Sequence, residues 1–223
     1  LRDRCDECGK CTEECYSQAL EMVGKKMDVG EVLAEVLKDK PFYDTSGGGM
    51  TISGGEPLAQ AQFTRDLLFS AKEEGLHTCI ETSGQGKSAN LREMIPLVDI
   101  FLFDYKATSP EIHREYVGTD NHLILENLKM LDDVGAEIFL RCPMVPDINA
   151  DDEHLHGIAD IANRHASIKQ IDILPYHPLG VSKSEKIGKE YPLDSERTFV
   201  DDEVADGWVE VISGLTSTPV KRN

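Results

Sequence analysis

Along this chain, apolar residues recur first at helical spacing and then in short unbroken runs, over and over. Residues 28–40 set Val29, Val32, Leu33, Val36 and Leu37 behind Asp28, a good N-cap, and predict an amphipathic helix stopped by Pro41. Three glycines, Gly47 to Gly49, turn the chain into a short strand at 50–53. A helix at 59–74 places Phe63, Leu67, Leu68 and Ala71 on one face and ends at Gly75. Strand 78–80, a short helix at 90–98 and strand 100–103 follow; the last, Ile-Phe-Leu-Phe, predicts burial on both faces. Helix 121–134 ends at Gly135, strand 137–142 comes next, and helix 151–165 starts behind Asp151 and Asp152. Strand 171–174 and a final helix at 194–212 complete the pattern.

Five strands alternating with helices predict βαβ units and a parallel sheet. Each strand runs into a polar cluster: Ser53-Gly54-Gly55-Glu56-Pro57, Glu81-Thr82-Ser83-Gly84, Asp104-Tyr105-Lys106, Arg141-Cys142-Pro143 and Pro175-Tyr176-His177. In parallel α/β architectures the carboxyl ends of the strands open on one mouth, where barrels and open sheets hold ligands. Five clusters in phase mark that mouth as the candidate site. No internal repeat, low-complexity tract or long linker interrupts the alternation.

Composition adds exclusions. With 223 residues, 40 % of them hydrophobic, the chain can bury a sizeable core in one domain with a small appendage. Asp and Glu number 41 against 23 Lys and Arg, a net charge of −18, which argues against nucleic acid or an anionic membrane as partner. No run reaches the roughly 18 apolar residues of a membrane span, and no secretory signal opens the sequence. It starts at Leu1 rather than Met, which points to a fragment whose start lies upstream.

Four of the six cysteines, Cys5, Cys8, Cys11 and Cys15, fall at C-x2-C-x2-C-x3-C spacing. Two-residue gaps let successive thiolates converge on one metal centre, and this run is the bacterial ferredoxin pattern for a [4Fe–4S] cluster. Zinc and a redox thiol pair are the alternatives. Tyr16 stands where the ferredoxin run carries Pro. In two-cluster ferredoxins the last cysteine ligates the other cluster, so Cys5, Cys8 and Cys11 want a fourth ligand and Cys15 wants three more. Cys79 and Cys142 lie alone in apolar runs and read as small core residues.

Three signals lead nowhere. Gly86-Lys87-Ser88 imitates the end of a phosphate-binding loop, but Glu81 stands where that motif needs Gly. His154 and His156 point to different faces of their helix and make a poor metal pair. The run Asp201-Asp202-Glu203, with Asp206 and Glu210 after it, reads as a solvated helix face.

Taken in order, Phe42-Tyr43, Ser46-Gly47-Gly48-Gly49 and Thr51-Ile52-Ser53-Gly54-Gly55-Glu56-Pro57-Leu58 resemble the glycyl radical enzyme activating enzymes. These are radical S-adenosylmethionine proteins of the pyruvate formate-lyase-activating group. The resemblance continues through Glu81-Thr82-Ser83-Gly84, Asp104-Tyr105-Lys106, His113, Gly118, Asn121, Arg141, Pro143 and Asn149. Leu174-Pro175-Tyr176-His177, Leu179-Gly180 and Tyr191-Pro192-Leu193 extend it to about residues 5 to 193. The cysteine run then resembles the second half of a ferredoxin-type insert. The family's C-x3-C-x2-C loop, holder of its catalytic [4Fe–4S] cluster, occurs nowhere in the sequence, and Ser184 replaces an expected aromatic residue.

The resemblance implies an α/β fold, a partial (β/α)6 TIM-like half-barrel lacking its first strand, at 28–223, behind a partial ferredoxin-like insert at 1–27. It implies an activating enzyme: a reduced cluster cleaves S-adenosylmethionine, and the resulting radical takes hydrogen from a glycine Cα of a partner glycyl radical enzyme. A flavodoxin or ferredoxin would donate the electron, in an anaerobic cytoplasm. By resemblance Gly54 and Gly55 approach the methionine ammonium, Glu56 faces it, Lys106 and Arg141 meet the carboxylate, and His177 contacts the ribose. Glu81, Thr82 and Asp104 resemble the oxygen ligands of a monovalent cation, with Glu81 in place of the expected Asp. The chain alone, without the cluster loop, is expected to be inactive. The alternatives are an iron–sulfur remnant that moves electrons or binds its partner, and a radical S-adenosylmethionine enzyme acting on a small molecule.

Overall fold

The structure, a computed structural model, describes residues 5–6, 8–191, 193 and 196–223. Pro192 and the first two residues of the predicted helix 194–212 lie outside them. The chain divides into two compact units, one of residues 1–28 and 177–198, the other of 29–176 and 199–223. Residues 177–198, expected within the larger domain, thus group with the N-terminal segment. The smaller unit holds the short helix α1 (Lys10–Glu13) and α9 (Gly180–Ile187).

The larger unit contains, among the described residues, six strands: β1 (Gly49–Ile52), β2 (His77–Thr82), β3 (Ile100–Asp104), β4 (Ile138–Met144), β5 (Ile168–Pro175) and β6 (Val220–Arg222). Its helices are α2 (Val29–Val36), α3 (Lys40–Ser46), α4 (Ala61–Glu73), α5 (Ser88–Met94), α6 (Pro110–Val117), α7 (His122–Asp133), α8 (Asp152–Arg164) and α10 (Asp202–Leu215). Every strand pair is parallel, and the order is β1-β2-β3-β4-β5-β6. A parallel sheet that never reverses its order, with right-handed crossovers, places its helices on one side; a doubly wound sheet would switch. This is the partial half-barrel.

Strand alternation separates two environments. Ile80, Phe101, Phe103, Ile138, Leu140, Cys142 and Ile171 are fully buried and pack in one cluster with Leu68, Leu91, Leu128 and Ile158 of the helices. Burying each such side chain contributes about 1.5–3 kcal/mol. The alternate positions, Glu81, Leu102, Phe139 and Arg141 among them, are only partly buried. So β3 is not buried on both faces: Phe101 and Phe103 are, while Ile100, Leu102 and Asp104 face the more open side. For the same reason Cys142 lies in the core and Cys79 does not; Cys79 is half-buried, 3.8 Å from His77 Nδ1.

Several elements differ from the sequence pattern. Pro41 does not stop the first helix: α2 ends at Val36, a 3-10 turn covers Leu37–Asp39, and Pro41 opens α3. In a first turn its missing N–H costs nothing. Strand β2 runs two residues past the predicted 78–80, taking in Glu81 and Thr82. Helix α6 was unforeseen, although Ser109 caps it by accepting from Ile112 N, Pro110 follows, and Gly118 (φ +92°) closes it. Strand β6 has little apolar pattern; it exists through pairing, with Ile171 N donating to Pro219 O and Asn223 N to Ile173 O.

Candidate functional site

Sheet register decides which polar side chains meet. Glu81 lies beside Leu102, and Asp104 beside Arg141, which itself lies beside Asp172. All sit on the face away from the helices, at or near the carboxyl ends of the strands. There a cavity of about 270 Å³ is lined by Ser53, Gly54, Gly55, Glu56, Glu81, Ser83, Asp104 and Lys106. Sites for drug-sized ligands usually occupy roughly 300–1,000 Å³, so this one suits a group of amino-acid size.

The loop after β1 forms one wall. Gly54 has φ +124°, and a Cβ at Gly54 or Gly55 would meet no atom within 4 Å. Open space where side chains would stand lets a ligand reach this backbone closely. Glu56 follows, capping the 3-10 turn Pro57–Gln60 by accepting from Leu58 N at 3.1 Å. Its carboxylate also accepts from Thr82 Oγ1 (2.6 Å), Ser83 N (2.9 Å) and Ser83 Oγ (2.6 Å). Those bonds fill the carboxylate's lone-pair directions. Glu56 therefore ties the β1 and β2 loops together.

Two ion pairs involve carboxylates that line the cavity. Arg141 Nη1 lies 2.6 Å from Glu81 Oε1, and Ser53 Oγ donates to Glu81 Oε2 at 3.0 Å. Lys106 Nζ lies 2.7 Å from Asp104 Oδ2. Both cations are partly exposed and stand where a ligand carboxylate could compete for them. The guanidinium can do so with two parallel donors, the ammonium as a point charge.

The residues expected to ligate a monovalent cation are each partnered in this structure. Glu81 is engaged by Arg141 and Ser53, Thr82 is buried with its hydroxyl on Glu56, and Asp104 holds Lys106. Among the described residues no three His, Cys, Asp or Glu side chains converge to hold a metal. That statement covers the N-terminal thiols too: Cys5, Cys8 and Cys11 are exposed and Cys15 is partly so. Four thiols remain a soft donor set suited to iron–sulfur. The Ser17 hydroxyl, 3.5 Å from Cys15 Sγ, draws that thiol below its ordinary pKa, which favours the thiolate that ligates metal. His177 belongs to the smaller unit with these cysteines, not to the unit that carries the cavity.

The sequence-predicted Gly54, Gly55, Glu56, Glu81, Asp104 and Lys106 thus line one cavity; Thr82 and Arg141 stand directly behind it, holding Glu56 and Glu81. Ser53 and Ser83 were legible only as members of polar clusters. Asn127 was missed. Its signal was a polar residue at core spacing, between Ile124, Leu128 and Leu131 on the buried face of α7. The rejected leads resolve simply. His154 is buried, with Thr108 N donating to its Nδ1 at 3.1 Å, and His156 Nδ1 lies against Asp152 O. Asp202 and Asp206 sit on exposed turns of α10 and pair with Arg222.

Comparison with known proteins adds relatives. Residues 13–157 match the model of the Radical SAM superfamily. The chain is 36 % identical over 188 residues to the choline trimethylamine-lyase activating enzyme of Oleidesulfovibrio alaskensis, covering 83 % of this chain and 61 % of that one. It is 38 % identical over 177 residues to the trans-4-hydroxy-L-proline dehydratase activating enzyme of Clostridioides difficile (78 % and 59 %). It is 36 % identical over 173 residues to pyruvate formate-lyase 1-activating enzyme of Escherichia coli (77 % and 70 %). The chain thus spans about three-fifths of the first two relatives. A domain of pyruvate-formate lyase-activating enzyme from Bacteroides vulgatus superposes with TM-score 0.65 at 22 % identity, covering 79 % of this chain and 99 % of that one. A radical SAM methyltransferase from Sphaerobacter thermophilus does so with TM-score 0.63 at 12 % identity (90 % and 59 %). At such identities these two speak to the fold alone.

Proposed function

Because the chain belongs to the glycyl radical enzyme activating group of the radical SAM superfamily, we propose that it forms the S-adenosylmethionine-binding body of such an activating enzyme. The observation that carries this reading is the cavity at the strand ends, where Gly54, Gly55 and Glu56 face Lys106 across a space of amino-acid size. The methionyl end of S-adenosylmethionine carries an ammonium, a carboxylate and a sulfonium, and this cavity offers both signs of charge.

Each residue has a task in that reading. The backbone of Gly54 and Gly55 admits the ammonium, and Glu56, locked by its four hydrogen bonds, supplies fixed negative charge beside it. Lys106 and Arg141 exchange Asp104 and Glu81 for the ligand carboxylate. Fixed charges of this kind orient a cofactor without reorganising during reaction. S-adenosylmethionine with a reduced [4Fe–4S] cluster supplies, when bound, hydrogen-atom abstraction from a glycine Cα of the partner enzyme. No C-x3-C-x2-C occurs within the 223 residues, so ligation of that cluster is assigned to none of them. Cys5, Cys8, Cys11 and Cys15 would contribute ligands to further clusters, fed by a flavodoxin or ferredoxin in the cytoplasm.

The test is anaerobic incubation of the protein encoded by the whole gene, clusters reconstituted, with candidate glycyl radical enzymes. A glycyl doublet in the electron paramagnetic resonance spectrum is expected with the cognate partner. Absence of the doublet with every partner, together with turnover of a small molecule, would overturn the proposal.

A further inference from the structure

We propose that Asn127 is a positioning residue for this site, fixing from the core side of α7 the loop that holds Glu56. The inference deepens the functional reading above and rests on it. Asn127 is fully buried, and its amide Nδ2 donates to Gly84 O at 2.8 Å and to Gly86 O at 3.0 Å. Gly84 N in turn donates to Thr82 Oγ1 at 2.9 Å, and Thr82 Oγ1 donates to Glu56 Oε1 at 2.6 Å. Ser83, flanked by these two residues, gives both its N–H and its hydroxyl to Glu56 Oε2. A continuous run of hydrogen bonds therefore joins one core amide to the carboxylate that lines the cavity.

Packing makes the loop stiff enough to transmit that position. A Cβ at Gly84 would stand 2.5 Å from Phe103 Cζ, and one at Gly86 would stand 2.6 Å from Leu58 Cβ. The loop backbone is pressed onto two buried side chains and has no room to slide inward. The other end of the Asn127 amide points to the same conclusion. Its Oδ1 is buried and, among the described residues, has no hydrogen-bond partner. An unpartnered buried carbonyl is a cost that leucine, similar in volume, would not carry. What the amide alone provides is its two donors, and both go to the loop.

The test substitutes Asn127→Leu and reads the loop directly by amide hydrogen exchange. In the unaltered chain, the Ser83 and Gly84 amides should exchange about as slowly as Ile80, within β2. In N127L those two amides should exchange about tenfold faster or more, while Ile80 and Leu140 keep their protection. A purely structural role would speed all four in parallel, and that result would overturn the proposal. Should N127L fail to fold, the unaltered chain still decides: Ser83 exchanging as fast as an exposed loop amide refutes a fixed loop. A second readout is S-adenosylmethionine affinity of the reconstituted protein, expected about tenfold weaker in N127L. If the unaltered protein does not bind S-adenosylmethionine, the functional reading fails while the exchange result still judges Asn127. If it binds and N127L binds equally well with Ser83 protected, the positioning role alone fails.

Discussion

Two glycines with the same backbone conformation allow a clean separation of strain from packing. Gly84 and Gly135 both have φ +72°, a left-handed conformation in which an L side chain is strained by about 1–2 kcal/mol. Their surroundings differ completely. A Cβ on Gly135, at the end of α7, would meet nothing within 4 Å. A Cβ on Gly84 would stand 2.5 Å and 2.8 Å from two atoms of the Phe103 ring, itself fully buried. Phe103 cannot yield without disturbing the core, and overpacking of this kind costs about 1–3 kcal/mol. Gly135→Ala should therefore lose about 1–2 kcal/mol and Gly84→Ala about 2–5 kcal/mol. Urea titration followed by fluorescence is a suitable assay, because the single tryptophan, Trp208, is buried in the core of the larger unit. Equal slopes with different midpoints would show that stability alone changed. If the two variants lose the same stability within about 0.5 kcal/mol, the packing argument is wrong. The loop after β2 would then be looser than described.

Further outcomes follow from single observations. Gly207 lies inside α10 with no atom within 4 Å of an added Cβ, so Gly207→Ala should stabilise by about 0.5–1 kcal/mol, read as a higher urea midpoint. Burial lowers the pKa of His154 to about 4 from 6.5, so between those values the unfolded chain binds the extra proton. Its contribution is complete above pH 6.5 and falls as the pH drops towards 4, by roughly 2 kcal/mol at pH 5; His154→Gln should flatten that part of the stability profile, and an unchanged slope would rule it out. Arg141→Lys keeps the charge but loses the planar fork, so S-adenosylmethionine affinity in the reconstituted protein should fall about tenfold. Equal affinity would remove Arg141 from the ligand carboxylate.

Much of the fold was legible because its signals are local. The helices at 61–73, 122–133 and 152–164 carry apolar residues at helical spacing, and the central strands are short apolar runs closed by polar residues. Where the local signal was weak or the deciding contact distant, the pattern misled. Pro41 looks the same opening a helix as ending one, and only the turn at Leu37–Asp39 distinguishes them. Strand β6 depends on β5, and residues 177–198 group with a segment some 150 positions earlier in the chain. Asn127 read as an exception within an apolar face until its partners, Gly84 and Gly86, came into view.

By itself, then, the sequence determined the alternation of strands and helices, the parallel sheet and the polar residues at the strand ends. Each of these follows from neighbours within a few positions, through helix periodicity, strand alternation and caps. Tertiary structure decided how those polar residues pair. Register across four strands brings Glu81 to Arg141 and Ser53, while Asp104 meets Lys106 from only two positions away. It also saturates Glu56 with hydrogen bonds from the next loop. The physical reason is that hydrogen bonds and ion pairs act over about 3 Å in space, whatever the separation along the chain.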